Sequence, residues 1–316
     1  MNLDRGPGGL FIPPVPGWPA HRGTLARPIR LAGRGLHTGR RCQVALMPAE
    51  AGQGVVFRRL RHGAPLGDIP ASWRLHHSQP LCSALKSPEG WLVRTTEHLL
   101  AALRACGIDD AVVELSNEEL PILDGSARPW IEAIQTAGRT ALDVPQRFIQ
   151  VTGPVEWRQG AHRLRLEPAA TPCLEVDVTL TMKGLGEWRW QGELSAERFR
   201  EEIAAARSFG RLRLAIPAML YGLARGIPIL RGAGPWCAAT IVGSRVIGGT
   251  RMTDEFVRHK LVDLLGDLAL LGAPLLGRLT ALRPTHDGNA GLMTALMAQP
   301  DAWRWAEVVP ASGAKD

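Results

Sequence analysis

Residues 254–272 read DEFVRHKLVDLLGDLALLG. Asp254 can cap the start of a helix and Gly272 can end one, so the stretch is predicted as a single helix. Phe256, Val257, Leu261, Val262, Leu264, Leu265, Leu268, Leu270 and Leu271 make most of it apolar, which places it in a core. Yet His259, Asp263 and Asp267 run along it at i, i+4 and i+8, with Lys260 beside them. Ionisable groups are costly to bury. Apolar residues on both flanks argue against an exposed face of helix salt bridges, so the stripe points to chemistry.

Residues four apart share one helix face, so His259 and Asp263 can point at one object. An imidazole nitrogen with a carboxylate oxygen suits zinc. Asp267 lies about 12 Å along the axis from His259 at the helical rise per residue. It cannot easily share that metal, and orienting another group fits it better. A catalytic zinc site needs a third protein ligand and an open position. The strongest candidate is His98 in TTEHLLAAL, residues 95–103, on another largely apolar helix. Glu97 stands directly before it, placed to take a proton from a zinc-activated water.

Other histidines carry less signal. His286 lies in RPTHDGNAG, where Gly and Pro predict a loop, the setting in which function concentrates. His37 in GRGLHTGR has a structural alternative. His76 and His77 could bind metal, but nothing nearby completes a site. His21, His62 and His162 read as surface residues.

Outward from these helices the chain shows a repeated layout. Residues 27–49 form a hairpin pattern around Gly33–Gly39, GVVFRRL is a strand, residues 95–107 a helix, AVVELS a strand, and residues 121–138 a turn and helix. Alternating strands return over residues 147–181. AERFREEIAAARSFG, residues 196–210, reads as helix and AATIVGSRVIGG as a strand pair. Strands followed by helices occur twice, with a break near residues 139–147. This predicts two α+β domains, 24–143 and 144–316, each an antiparallel-rich sheet with helices on one face; one continuous domain is the alternative. Residues 1–23 are interrupted by Gly and Pro and lack the order of a signal peptide, so a flexible extension is expected.

Composition narrows the setting. The five cysteines are scattered without a CxxC, against a disulfide framework or a cysteine zinc site and in favour of a reducing compartment. The net charge of +7 favours a phosphorylated substrate, an anionic membrane surface or nucleic acid. Arginine is spread along the chain without a dense basic run, which weakens the nucleic-acid case. No apolar run reaches the roughly 18 residues of a membrane span.

GRGLHTG, TTEHLLAAL, ELPILDGSA, ARSFG, DEFVRHKLVDLLGDLALLG and THDGN follow one another in an order and spacing that resembles the UDP-3-O-acyl-N-acetylglucosamine deacetylases, zinc amidases of lipid A biosynthesis in Gram-negative bacteria. The match covers roughly residues 24–306, and HKxxDxxGD together with TxEH is its most specific part. The resemblance implies an α+β fold of two similar βα domains in a layered sandwich, helices packed between the sheets, with inserts near residues 60–85 and 211–232. It implies zinc on His98, His259 and Asp263, with Glu97 as general base. It implies His286 as general acid or electrostatic stabiliser oriented by Asp267, and Lys260 as a substrate-binding lysine near the reacting centre. Leu81, Cys82, Phe209 and Cys237 fall where the family lines its acyl and substrate passage. The family's usual Thr in RTFG is Ser208 here, which keeps a hydroxyl for oxyanion help. The segment after Ser208 and the residues around His286 depart from the usual pattern, and residues 1–23 match nothing in the family. The partners implied are a UDP-linked acylated amino sugar, no nucleic acid, and a membrane only at its surface. The expected form is a cytoplasmic monomer. Two rivals are a zinc amidohydrolase for another anionic acylated small molecule and a non-catalytic binding protein that keeps the fold.

Overall fold

A computed structural model of the chain describes residues 10–309. Its helices are α1 (Glu97–Ala105), α2 (Arg128–Ala137), α3 (Ala196–Arg198, running on into a wide turn at Phe199–Ile203), α4 (Leu212–Arg225), α5 (Glu255–Leu268) and α6 (His286–Met297). They accompany several sheets in a mixed α/β architecture.

A five-stranded sheet has the order Ile29–Arg34, Arg41–Pro48, Ala111–Leu115, Val55–Arg61, Ala64–Pro70. Only the Val55–Arg61 and Ala111–Leu115 pair is parallel, and the chain between them carries α1. An eight-stranded sheet is organised around Leu275–Leu282, which pairs with Arg147–Val151, His162–Glu167 and Leu174–Met182. Leu174–Met182 alternates buried and half-buried residues, so Leu174, Val176, Val178 and Leu180 all face inward. α1 packs on α2 and α5, while α5 packs on α6 and on Leu174–Met182. One hydrophobic cluster joins Leu46, Phe57 and Val113 of the first sheet, Leu99 and Leu103 of α1, Leu261 and Leu264 of α5, and Val176 and Leu279 of the second sheet.

Four expectations change. The flexible extension was expected to reach residue 23, but Leu10–Ile12 pairs in parallel with Trp303–Val308. Ile12 and Val15 are buried with Phe148 and Leu276, and Trp18 meets Phe148 edge-on. The prolines and glycines there turn a packed chain; residues 1–9 lie outside the described residues. The expected break near 139–147 is instead the strand Arg139–Pro145, paired with His21–Leu25. Helix was expected through residue 210, but Phe209–Arg211 is a strand beside Ala239–Val242, a pairing that no local pattern announces. His286 was expected on a loop and is the first residue of α6, which Thr285 caps by accepting from the Gly288 N–H.

Candidate active site

The site begins where α1 and α5 touch. A Cβ on Gly266 would stand 1.9 Å from the carbonyl oxygen of Glu97, so only glycine lets the two backbones approach this closely. The first turn of α1 is thereby pressed onto the last turn of α5.

That contact brings three buried side chains together. His98 Nε2 is 3.7 Å and His259 Nε2 is 3.2 Å from the same oxygen, Asp263 Oδ1. The two imidazole rings are nearly perpendicular. One donor atom from each of the three residues lies within 4.8 Å of the others. Zinc bonds of about 2.0–2.1 Å put neighbouring ligands of a tetrahedron about 3.4 Å apart, and the two separations bracket that figure. The His259 Nδ1 N–H donates to the Ala206 carbonyl at 3.1 Å, which leaves Nε2 as a lone pair aimed at Asp263. Burial pulls the His98 pKa down and so favours the neutral, ligating imidazole. Burial opposes the charge on Asp263, but His259 and Lys260 prevail and hold the carboxyl well below its ordinary range. The donor set therefore suits a divalent metal with a fourth position open. Lys260 Nζ donates to the other oxygen, Asp263 Oδ2, at 2.8 Å and lies 5.7 Å from the centre of the Phe209 ring.

A second group of ionisable residues adjoins the first. Glu97 is buried, and its Oε2 accepts the Ser83 N–H at 3.1 Å while Oε1 is 4.0 Å from His286 Nε2. Burial raises the Glu97 pKa to about 8. His286 Nδ1 donates to Asp267 Oδ2 at 2.9 Å, the Ser83 hydroxyl bonds Asp267 Oδ1, and Asn289 donates to Oδ2 at 2.8 Å. Burial opposes a charge on His286, yet the Asp267 carboxylate outweighs it and lifts the pKa to about 9. A carboxyl group and an imidazolium thus face each other beside the His98–His259–Asp263 cluster.

Sequence reasoning missed Ser83, Asn289 and the Ala206 carbonyl. Asn289 stands in the THDGN motif one turn after His286, so helical spacing could have found it. Nothing local ties Ser83 to Asp267.

The remaining candidates are more scattered. The Ser208 hydroxyl donates to the Gly125 carbonyl at 3.3 Å, a bond it must give up to serve an oxyanion. Phe209 is half-buried, its ring 6.0 Å from that of His259. Leu81 is 60 % exposed, whereas Cys82 and Cys237 are 1 % and 0 % exposed, so neither thiol faces an open passage. Cys237 packs with Leu36 and Ile122. Burial pushes both thiols up and makes them poor nucleophiles. The structural alternative describes His37: its N–H and that of Thr38 donate to buried Glu119, which also accepts from Thr95. Thr95 has φ of 58°, a costly conformation for a β-branched residue, directly ahead of the Glu97–His98 turn. His76 and His77 join no metal-ligating group among the described residues.

A family model described as UDP-3-O-acyl N-acetylglycosamine deacetylase matches residues 22–298. Three similar proteins are named UDP-3-O-acyl-N-acetylglucosamine deacetylase. That of Phenylobacterium zucineum is 37 % identical over 283 residues, covering 89 % of this chain and 94 % of its own. That of Geotalea uraniireducens is 34 % identical over 293 residues, 92 % and 93 %. That of Xanthomonas axonopodis pv. citri is 37 % identical over 286 residues, 89 % and 92 %.

Proposed function

The chain belongs to the UDP-3-O-acyl N-acetylglycosamine deacetylase family, and from that premise we propose that it hydrolyses the N-acetyl group of UDP-3-O-acyl-N-acetylglucosamine, releasing acetate and the free amine, an early committed step of lipid A biosynthesis. The observation that carries this assignment is the meeting of His98, His259 and Asp263 with the buried Glu97, His286 and Asp267.

Zinc is the metal that this donor set favours, and when bound it supplies a Lewis acid that acidifies water and polarises the amide carbonyl. The residues around it divide the remaining work. Glu97, held by the Ser83 N–H, takes the proton of the attacking water. With a divalent metal held by His98, His259 and Asp263, the ionised form of Glu97 would be favoured. Lys260, on the rim of the triad, faces the negative charge that develops on the carbonyl oxygen, and the Ser208 hydroxyl assists after leaving Gly125. His286, kept cationic by Asp267, gives its proton to the departing amine. Exposed arginines receive the diphosphate.

The substrate passage runs past Leu81 and Phe209, with Cys82 and Cys237 supporting its wall from beneath. Residues 212–230, which include α4, form the apolar wall for the acyl chain. In the larger plan, residues 24–143 and 144–316 are two βα layers with the helices between them, supported by the α1–α5 contact and the shared core. The catalytic set is complete within one chain, which fits a working monomer. The cysteines are all free, which fits a reducing cytoplasm. No helix among the described residues is long and apolar enough to cross a membrane.

Mass spectrometry of the UDP-sugar after incubation with zinc-loaded protein tests the reaction. Loss of one acetyl group is expected; an unchanged substrate with the metal in place refutes it.

A further inference from the structure

α4 is built the wrong way round for a helix in water. Its small residues Ala215, Ala218 and Gly222 lie at helical spacing on the packed side. A Cβ at Gly222 would press on the Ile227 carbonyl oxygen at 2.6 Å, so that side lies tight against the following chain. The bulky residues point away from it. Leu214, Ile216, Leu220, Tyr221 and Leu223 are all at least half exposed, Leu220 at 62 % and Leu223 at 70 %. Helices of water-soluble proteins bury such residues, and a contiguous apolar patch of this kind marks an interaction surface.

The charge around the helix says what covers it. Residues 203–253 contain seven arginines and no lysine, aspartate or glutamate, so this one stretch carries a charge equal to the net +7 of the whole chain. Arg207 and Arg251 are spent on Glu255 and Asp124. Arg213, Arg225, Arg231 and Arg245 are exposed and enter no ion pair among the described residues. An apolar helix face flanked in sequence by arginine alone among charged residues is the composition of a helix that lies in a membrane interface.

We propose that α4 docks this protein on the surface of an anionic lipid bilayer, with Ile216, Leu220 and Leu223 entering the headgroup–acyl boundary and the free arginines on lipid phosphates. A second copy of the chain fits poorly, because a two-fold contact would set arginine against arginine. A substrate acyl chain lying along residues 212–230 fills one groove and leaves the other exposed sides of α4 uncovered. The diphosphate of a nucleotide sugar offers no apolar area to cover them. α4 starts three residues after Phe209, which borders the metal-ligating cluster, so docking would hold the site close to the bilayer. The inference rests on the surface of α4 and goes beyond the assigned reaction.

Flotation of the full chain with vesicles tests it, using phosphatidylcholine alone and phosphatidylcholine mixed with phosphatidylglycerol. The protein should float with the mixed vesicles, stay behind with phosphatidylcholine, and be released by high salt. Leu220→Asp with Leu223→Asp should weaken binding roughly tenfold or more, the scale of losing buried leucine side chains. Arg213→Gln and Arg225→Gln should each cost about fivefold, the scale of one cation at an anionic surface. All four positions are exposed, and circular dichroism confirms that the variants are folded. Failure to float with mixed vesicles overturns the proposal, as does undiminished binding by the folded leucine variant. Self-association without vesicle binding, abolished by the leucine changes, would assign the face to a second copy and also overturns it. No substrate is turned over in these experiments, so their failure would leave the deacetylase assignment standing.

Discussion

Replacing Gly266 with alanine tests whether the helix contact sets the metal site. The added Cβ would stand 1.9 Å from the Glu97 carbonyl oxygen and 2.8 Å from its Cα. Both are backbone atoms, so no rotamer change relieves the clash, and the helices must part by about 1 Å or more in a close-packed interior. His98 rides on α1 while His259 and Asp263 ride on α5. The 3.7 Å gap from His98 to Asp263 would open to about 4.5 Å or more, well beyond the roughly 3.4 Å edge of a zinc tetrahedron. Misplacing catalytic groups by about 1 Å costs on the order of 10²-fold. Overpacking costs roughly 1–3 kcal/mol, and the gain in helix propensity returns up to about 1 kcal/mol, so the fold should suffer less than the chemistry. The assays are chelator competition for zinc, kcat/KM on the UDP-sugar and the melting temperature. Zinc affinity should drop at least about tenfold and kcat/KM about 10²-fold. Unchanged zinc affinity and kcat/KM in Gly266→Ala would refute the reasoning.

Other expected outcomes concern the residues themselves. His259→Ala or Asp263→Ala should lower zinc affinity and abolish turnover; full occupancy of both variants against a competing chelator would show that the ligands lie elsewhere. Glu97→Ala should keep its zinc and lose about 10²-fold or more in rate, the scale of a lost general base; a metal-replete variant with normal turnover excludes that role. His286 must be cationic to protonate the amine, so its contribution is present below its pKa of about 9 and lost above it. Asp267→Asn removes the charge that lifts this pKa, and the alkaline limb of kcat/KM should move to lower pH; an unmoved limb means that another group sets it.

The parts of the site carried by one helix were legible in the sequence. His259 and Asp263 are an i, i+4 pair on α5, and Asp267 is too far along the axis to join them, which is a statement about helical rise alone. Glu97 and His98 are adjacent and needed only a partner helix. What the sequence does not show depends on contacts far apart in the chain. Ser83 meets Asp267 across 184 residues, and no periodicity links them. The helix expected through residue 210 rests on the good helix formers upstream, whereas the strand state of Phe209–Arg211 comes from pairing with Ala239–Val242. His286 was misplaced because Pro284 and Gly288 resemble a loop, although Thr285 beside them is an N-cap. The prolines and glycines of the N-terminal segment argue for flexibility, while Leu10, Ile12, Val15 and Trp18 form a packed strand and turn.

The α1–α5 contact divides the chemistry between the two ends of the polypeptide. Ser83, Glu97 and His98 belong to the first half of the chain; His259, Asp263, Asp267 and His286 belong to the second. Two separately expressed fragments split near residue 143 would each hold an incomplete ligand set, one with a single imidazole and the other with one imidazole and a carboxylate. Tight metal capture would then report reassembly of the fragments, and catalysis could be rebuilt by complementation but never inherited by either piece.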